Sequence, residues 1–140
     1  MKFITEEESA QLISHEIAYS AVREALAAAS EPTGRSFPVV HGQGCDPVNS
    51  FSIKASATAE LSGLKVGSFW PGNPERGMPR HSSIIFLMNQ DNGRMAAAIE
   101  AGKVNAYRTA ASNAVAADFL ARHESSVVAV FGAGHQARYE

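Results

Sequence analysis

The chain has 140 residues, 45% hydrophobic and 19% charged, with a formal net charge of -2. That is apolar content enough for one folded core, and its scattered Lys and Arg form no basic stripe for nucleic acid or an anionic membrane. No run approaches a membrane span. The start, Met1-Lys2-Phe3-Ile4-Thr5 leading into three glutamates, lacks signal-peptide chemistry, and the single cysteine, Cys45, excludes an internal disulfide, so a cytoplasmic setting is expected.

Thr5-Glu6-Glu7-Glu8 spells a capping box, in which the Thr5 hydroxyl accepts an amide of the first turn while Glu8 reaches back. Apolar residues then recur with helical period at Ala10, Ile13, Ile17, Ala21 and Ala25, beside Ala18, Val22 and Leu26, until Ser30 and Pro32. One continuous scaffold helix is predicted, with His15 and Glu16 on its solvated side. From Phe37 to Ile99 the period changes to two, and strands are predicted at 37–40, 51–57, 64–69, 83–88 and 94–99. Asn89-Gln90-Asp91-Asn92-Gly93 supplies a hairpin turn between the last two.

A helix followed by a mainly antiparallel sheet defines an α+β unit. On the strand at 51–57, Phe51, Ile53 and Ala55 share one face and Ser52, Lys54 and Ser56 the other. Lys54 is then either an ordinary solvent-facing residue, which spacing alone favours, or an ammonium held over a pocket for an anion. The next loop, Phe69 to Pro79, holds three prolines, two glycines and the only tryptophan. It is a stiff segment of the kind that borders a site or merely anchors a crossover. His41 and His81 sit in or beside polar loops and are read as pocket-lining or simply satisfied loop histidines. No cluster has metal-ligand spacing, so no metal is expected.

A second helix, rich in alanine, is predicted over 104–120. Asn105, Arg108 and Ser112 share one of its faces. Turned inward, Arg108 would grip a carboxylate through a two-pronged bond; turned outward, it is a plain surface arginine. The polar stretch Arg122-His123-Glu124-Ser125-Ser126 is the best boundary in the chain, dividing residues 1–123 from 124–140. Beyond it, Val127-Val128-Ala129-Val130-Phe131 runs into Gly132-Ala133-Gly134-His135-Gln136-Ala137, a buried strand turning into a phosphate-binding helix start.

Taken in order, Phe51-Ser52-Ile53-Lys54-Ala55-Ser56, Phe69-Trp70-Pro71-Gly72-Asn73-Pro74, Asn92-Gly93-Arg94, Ala106-Tyr107-Arg108-Thr109-Ala110-Ala111-Ser112 and the glycine-rich tail resemble the ornithine cyclodeaminase and mu-crystallin family. The resemblance implies a two-domain NAD(P)-dependent enzyme. Its substrate-binding and dimerisation domain is an α+β unit at 1–123. The first strand and phosphate turn of an α/β Rossmann domain follow at 124–140, with Gly132, Ala133, Gly134, His135, Gln136 and Ala137 holding NAD or NADP. It further implies that Lys54 and Arg108, with Arg35, hold the carboxylate of a small imino or amino acid in a homodimer. The expected reaction is reduction of a cyclic imine, delta-1-pyrroline-2-carboxylate or delta-1-piperideine-2-carboxylate, to proline or pipecolate. Lys54 would deliver a proton once neighbouring positive charge depresses its pKa. Cyclisation of ornithine with loss of ammonia, and a non-catalytic binding protein of the mu-crystallin type, are the alternatives. The chain is expected to be the N-terminal part of the active enzyme, and its tail from Glu124 to depend on sequence beyond Glu140.

Overall fold

The computed structural model describes residues 1–140. A seven-stranded sheet carries three helices. The strands are β1 (Lys2–Ile4), β2 (Arg35–Ser36), β3 (Val40–Gln43), β4 (Ser50–Ala57), β5 (Ser62–Phe69), β6 (His81–Met88) and β7 (Met95–Glu100). They lie in the order β1-β7-β6-β5-β4-β2, with β3 also on β4. All pairings are antiparallel except β1 on β7. The helices are α1 (Glu6–Leu12), α2 (His15–Ala29) and α3 (Gly102–Leu120).

The capping box forms as read: Thr5 N–H donates to Glu8 Oε2 at 2.8 Å, and Glu8 N–H to Thr5 Oγ1 at 3.3 Å. The single long helix does not. Ile13 adopts extended backbone (φ -86, ψ 136), and the Ser14 hydroxyl accepts Ile17 N–H at 3.3 Å as the N-cap of α2. A serine that satisfies a helical amide from outside the helix starts a new one, and this outweighs the uninterrupted apolar period. The first predicted strand is displaced as well. Residues 37–39 lie between β2 and β3, which occupy successive stretches of the same edge of β4.

Helix α3 has no cap of its own, since Ala101 brings no side chain to its N-terminus. Glu6 supplies it: Gly102 N–H and Lys103 N–H donate to its two carboxylate oxygens, each at 2.7 Å. In the other direction Glu6 N–H donates to Glu100 Oε2 at 2.8 Å, and Ser9 Oγ to Glu100 O at 2.6 Å. Four bonds thus fix α1 against the junction of β7 and α3, and a carboxylate suits the positive end of the α3 dipole.

The helices cover only one face of the sheet. That face carries Ser52, Lys54, Lys65, Gly67 and Ser83, and α3 lies over it. The opposite face presents Phe51, Ile53, Leu64, Val66, Ile84 and Phe86, all only partly buried, with no helix above them. Nine of the 140 residues are buried, and no large side chain is fully enclosed.

The segment Val127–Phe131, predicted as a strand, pairs with nothing, and Val127, Val128 and Phe131 are 86%, 86% and 99% exposed. A strand exists only through its ladder, and none of the sheet's strands lies beside this one. The tail nonetheless returns to α3. Gln136 Nε2 donates to Ala106 O at 3.0 Å, and the Tyr139 ring meets Tyr107 edge-on at 5.2 Å.

Candidate functional site

Lys54 on β4 and Lys65 on β5 are direct cross-strand partners, so both side chains rise from the helix-covered face. One row along the strands, His41, Ser52, Gly67 and Ser83 line up across β3, β4, β5 and β6. A cavity of about 580 Å³ opens above these two rows. Its floor owes its depth to Gly67, where a side chain would approach Lys65 Nζ at 3.7 Å and Ser52 Oγ at 3.9 Å.

The roof is α3, and here charge is concentrated. Lys65 Nζ donates to Asn105 Oδ1 at 2.8 Å, and Arg108 Nε and Nη2 donate to the same oxygen at 3.0 and 2.7 Å. Three N–H groups from two cations therefore meet on one neutral amide oxygen, the kind of donor set that elsewhere surrounds a carboxylate. Burial, then Arg108, then Lys54 push the Lys65 ammonium below its ordinary 10.5, and burial lowers Arg108 from its usual range. No Asp or Glu lines the cavity.

Of the residues singled out from sequence, Lys54 lines this cavity, and Arg108 joins it through Asn105. Arg35 is not brought to it. On β2 it pairs with Ala57, on the face opposite Lys54, and its guanidinium donates to the carbonyls of Pro32 and Gly34. Ser112, grouped with Arg108 by helical spacing, turns back to Arg108 O at 2.9 Å. His41 and His81 both line the cavity, His81 tilted on Phe69 at 4.8 Å. Sequence reasoning missed Lys65, Ser83 and Gly67. The available signal was Gly63-Leu64-Lys65-Val66-Gly67, a lysine at the centre of a strand with small residues on either side.

The cavity shares Phe69, His81, Ser82, Ser83 and Asn105 with a second groove of about 2160 Å³, whose far wall is Val128 to Phe131 with Gly132, Gly134, His135, Gln136 and Ala137. Pro79 and Arg80, from the proline-rich loop, border it too. Gly132 has φ +100, a conformation favouring glycine, and a side chain at Gly134 would meet nothing within 4 Å. Bare backbone thus faces open space, as approach of a phosphate requires. A cationic pocket on an α+β sheet thus opens into a groove walled by a glycine turn.

The sequence profile of the Ornithine cyclodeaminase/mu-crystallin family matches residues 3–140, and the chain belongs to that family. Iminosuccinate reductase from Paracoccus denitrificans is 34% identical over 143 residues, covering 100% of this chain and 44% of the relative. Its structure in complex with NAD+ superposes with a TM-score of 0.92 over 99% of the chain. An archaeal alanine dehydrogenase dimer with bound NAD gives 0.91 at 29% identity, over 99% of this chain and 43% of its own. The delta-1-pyrroline-2-carboxylate reductase of Thermococcus litoralis, in complex with NADH and L-proline, gives 0.89 at 26%, over 99% and 44%. The chain therefore spans less than half the length of these relatives. No helix is long and apolar enough to cross a membrane.

Proposed function

We propose that the full-length gene product reduces the C=N bond of an α-imino acid with NADH or NADPH. In this reading residues 1–123 bind substrate, and residues 124–140 open the Rossmann unit. The carrying observation is the convergence of Lys65 and Arg108 on Asn105 Oδ1 in a cavity continuous with the glycine-turn groove. Relatives that carry imine-reductase names, and their structures with NAD+ or NADH, support the choice of reaction and cofactor.

Gly132, Ala133, Gly134, His135, Gln136 and Ala137 are the residues proposed to hold the dinucleotide, which when bound supplies the hydride. Lys65 and Arg108 take the substrate carboxylate in place of Asn105 Oδ1 and so fix the imine carbon toward the groove. Orientation of this kind contributes to the rate by removing the cost of alignment. Lys65 also holds a proton beside the imine nitrogen, and its lowered pKa makes it the better donor. In this proposal Lys65 takes the proton-donor role that the resemblance implied for Lys54, and Lys54 belongs to the same pocket. Arg35 takes no part in the proposed clamp. Cyclic imines such as delta-1-pyrroline-2-carboxylate and delta-1-piperideine-2-carboxylate, and open-chain imines of 2-oxo acids, all present the required group. The exposed free thiol of Cys45 suits the cytoplasmic setting included in this proposal.

The test is cofactor absorbance on mixing the full-length protein with NADH or NADPH and each imine. Oxidation of the cofactor is expected. Ligand binding without oxidation would make it a binding protein, and ammonia release from ornithine would make it a cyclodeaminase.

A homodimer closed over the uncovered sheet face completes the proposal. Phe51, Ile53, Leu64, Val66, Ile84 and Phe86 leave an apolar layer without a partner, and a second copy would cover it at about 25 cal/mol per Å² of apolar surface. Light scattering should give twice the chain mass, and Val66→Asp should give monomer.

A further inference from the structure

We infer that Gln136 is a positioning residue: its side chain ties the glycine turn to α3 beside the clamp, so that a dinucleotide in the groove sets Asn105 and Arg108 for the carboxylate. The inference rests on the reductase reading above and adds an energetic link between its two sites.

The first argument is where the side-chain amide of Gln136 goes. Its Nε2 donates to Ala106 O at 3.0 Å and to Glu140 Oε1 at 3.2 Å, and the other Glu140 oxygen accepts from Asn113 Nδ2 at 3.0 Å. An amide nitrogen carries two hydrogens, so this side chain is committed to α3 and its neighbour, and only its backbone is left to the turn. Both acceptors are oxygens that cannot donate, which fixes which end of the amide faces α3. A helical carbonyl keeps a second lone pair beside the one in the helix ladder, so Ala106 O accepts Gln136 without breaking α3.

Where that bond lands is the second. Ala106 follows Asn105 directly and precedes Arg108 by two residues, all within α3. One flank of the helix therefore carries the amide that meets Lys65, and the next flank takes the tail. Ala106, Ala110, Ala114 and Ala117 border the groove at helical spacing, and side chains this small let the tail reach the helix backbone. The neighbouring Tyr107 ring is held from two sides, by His15 of α2 at 4.7 Å and by Tyr139 at 5.2 Å. A displacement of the turn is thus passed to α3 within one residue of the clamp.

The sign of the coupling follows from what each ligand must order. Residues 127–131 have no ladder, so the turn that follows them is held to the rest of the chain through Gln136, Tyr139 and Glu140. A dinucleotide that fixes the turn also fixes Gln136 on Ala106 O, and the carboxylate then meets a helix already held. Ordering by one ligand lowers the cost of ordering for the other, which makes the coupling positive. Linkage makes it reciprocal: the carboxylate tightens the dinucleotide by the same factor.

The test uses the full-length gene product and two readouts free of turnover. In hydrogen exchange, NADH or NADPH should slow the amides of Ala106 to Ala110 by about fivefold or more. In Gln136→Met, which keeps the length and loses the donors, the slowing should be confined to the glycine turn. In calorimetry, reduced cofactor should tighten the binding of L-proline, L-pipecolate or L-alanine, amino acids it cannot reduce, by about 5–150-fold. Gln136→Met should bring that factor to within about twofold of unity while binding the cofactor alone within about threefold of wild type. Tyr139→Phe, which keeps the ring edge against Tyr107, should retain both effects. A residue that only holds the fold together would lower the urea midpoint and leave the linkage unaltered. Protection of α3 that persists in Gln136→Met, or loss of cofactor binding itself, would overturn this inference; if imines are still reduced by the wild type, the reductase reading stands. Protection that depends on Gln136 in a protein that reduces no imine would overturn the reductase reading alone, and failure to bind either cofactor would overturn both.

Discussion

Lys65 Nζ and Arg108 Nη2 donate to the same oxygen, Asn105 Oδ1, at 2.8 and 2.7 Å. The amide occupies the focus of two cations without bearing charge, so in the proposed clamp a substrate carboxylate would displace it at little electrostatic cost. Asn105→Asp removes that advantage by installing a permanent anion at the focus. KM for the imino acid should rise by about 100-fold, with a smaller change in kcat and little in the KM for NADH. Steady-state kinetics checks this; a mutant that loses kcat at unaltered KM would contradict the displacement.

The same neighbourhood sets a pH dependence. Lys65 titrates below 10.5 because burial, Arg108 and Lys54 all disfavour its charge. In its proposed role as proton donor it must be charged, so kcat/KM should fall as pH rises through that lowered value. A bound carboxylate favours the ammonium, so the alkaline limb of kcat should lie at higher pH than that of kcat/KM. Lys65→Arg should lose the limb, since the guanidinium keeps its proton, together with about 100-fold in kcat. The unfolded chain, with Lys65 at its ordinary value, binds more protons over this window. For this group alone, stability therefore increases with pH while activity declines.

How much of this was readable beforehand depended on whether a signal was local. The capping box of Thr5 and Glu8, the three central strands, the Asn89–Gly93 turn and α3 are written in neighbouring residues, and they stand in the structure. Strand β1 is three residues long and owes its existence to β7, about ninety-five positions later, so no local pattern announces it. Lys65 looks like any strand lysine until α3 is laid across it, because its meaning comes from Asn105, forty residues away. Arg35 shows the reverse case. The resemblance implied a role for an arginine ahead of the lysine strand, and pairing of β2 with Ala57 places it on the face opposite Lys54. The apolar run from Val127 advertises a strand, yet a ladder partner is a property of other residues.

Two glycines of β5 should respond in opposite ways to the same change. At Gly67 an added methyl would meet Lys65 Nζ, Ser52 Oγ and Ser82 O at 3.7, 3.9 and 4.0 Å, all ordinary contacts. Gly67→Ala should fold normally, even gaining up to about 1 kcal/mol from reduced strand entropy, while raising KM about tenfold by filling the cavity floor. At Gly63 the methyl would lie 2.4 Å from Phe86 O, a backbone atom that moves only with its strand. Gly63→Ala should cost about 1–3 kcal/mol. Urea unfolding of both variants beside their kinetics separates a hole kept for ligand from one kept for chain packing.

The position of the clamp depends in turn on Glu6, ninety-six residues before Gly102, whose amide it caps. Its carboxylate takes the first two amides of α3, those of Gly102 and Lys103, at 2.7 Å, and the first turn of that helix holds no acid of its own. Glu6→Ala leaves two donors at a helix start without a protein partner and removes the favourable charge at the dipole. It should cost about 1–2 kcal/mol, seen as a lower urea midpoint at constant m. Glu6→Gln, which keeps one acceptor oxygen and loses the charge, should fall between the two. Because Asn105 lies only two residues beyond Lys103, loosening this end should also weaken the Lys65–Asn105–Arg108 meeting point. In the folded fraction of Glu6→Ala, KM for the imino acid should therefore rise about threefold or more with kcat less affected. If KM stays at the wild-type value while stability drops, the cap holds α1 to the sheet and does not position the site.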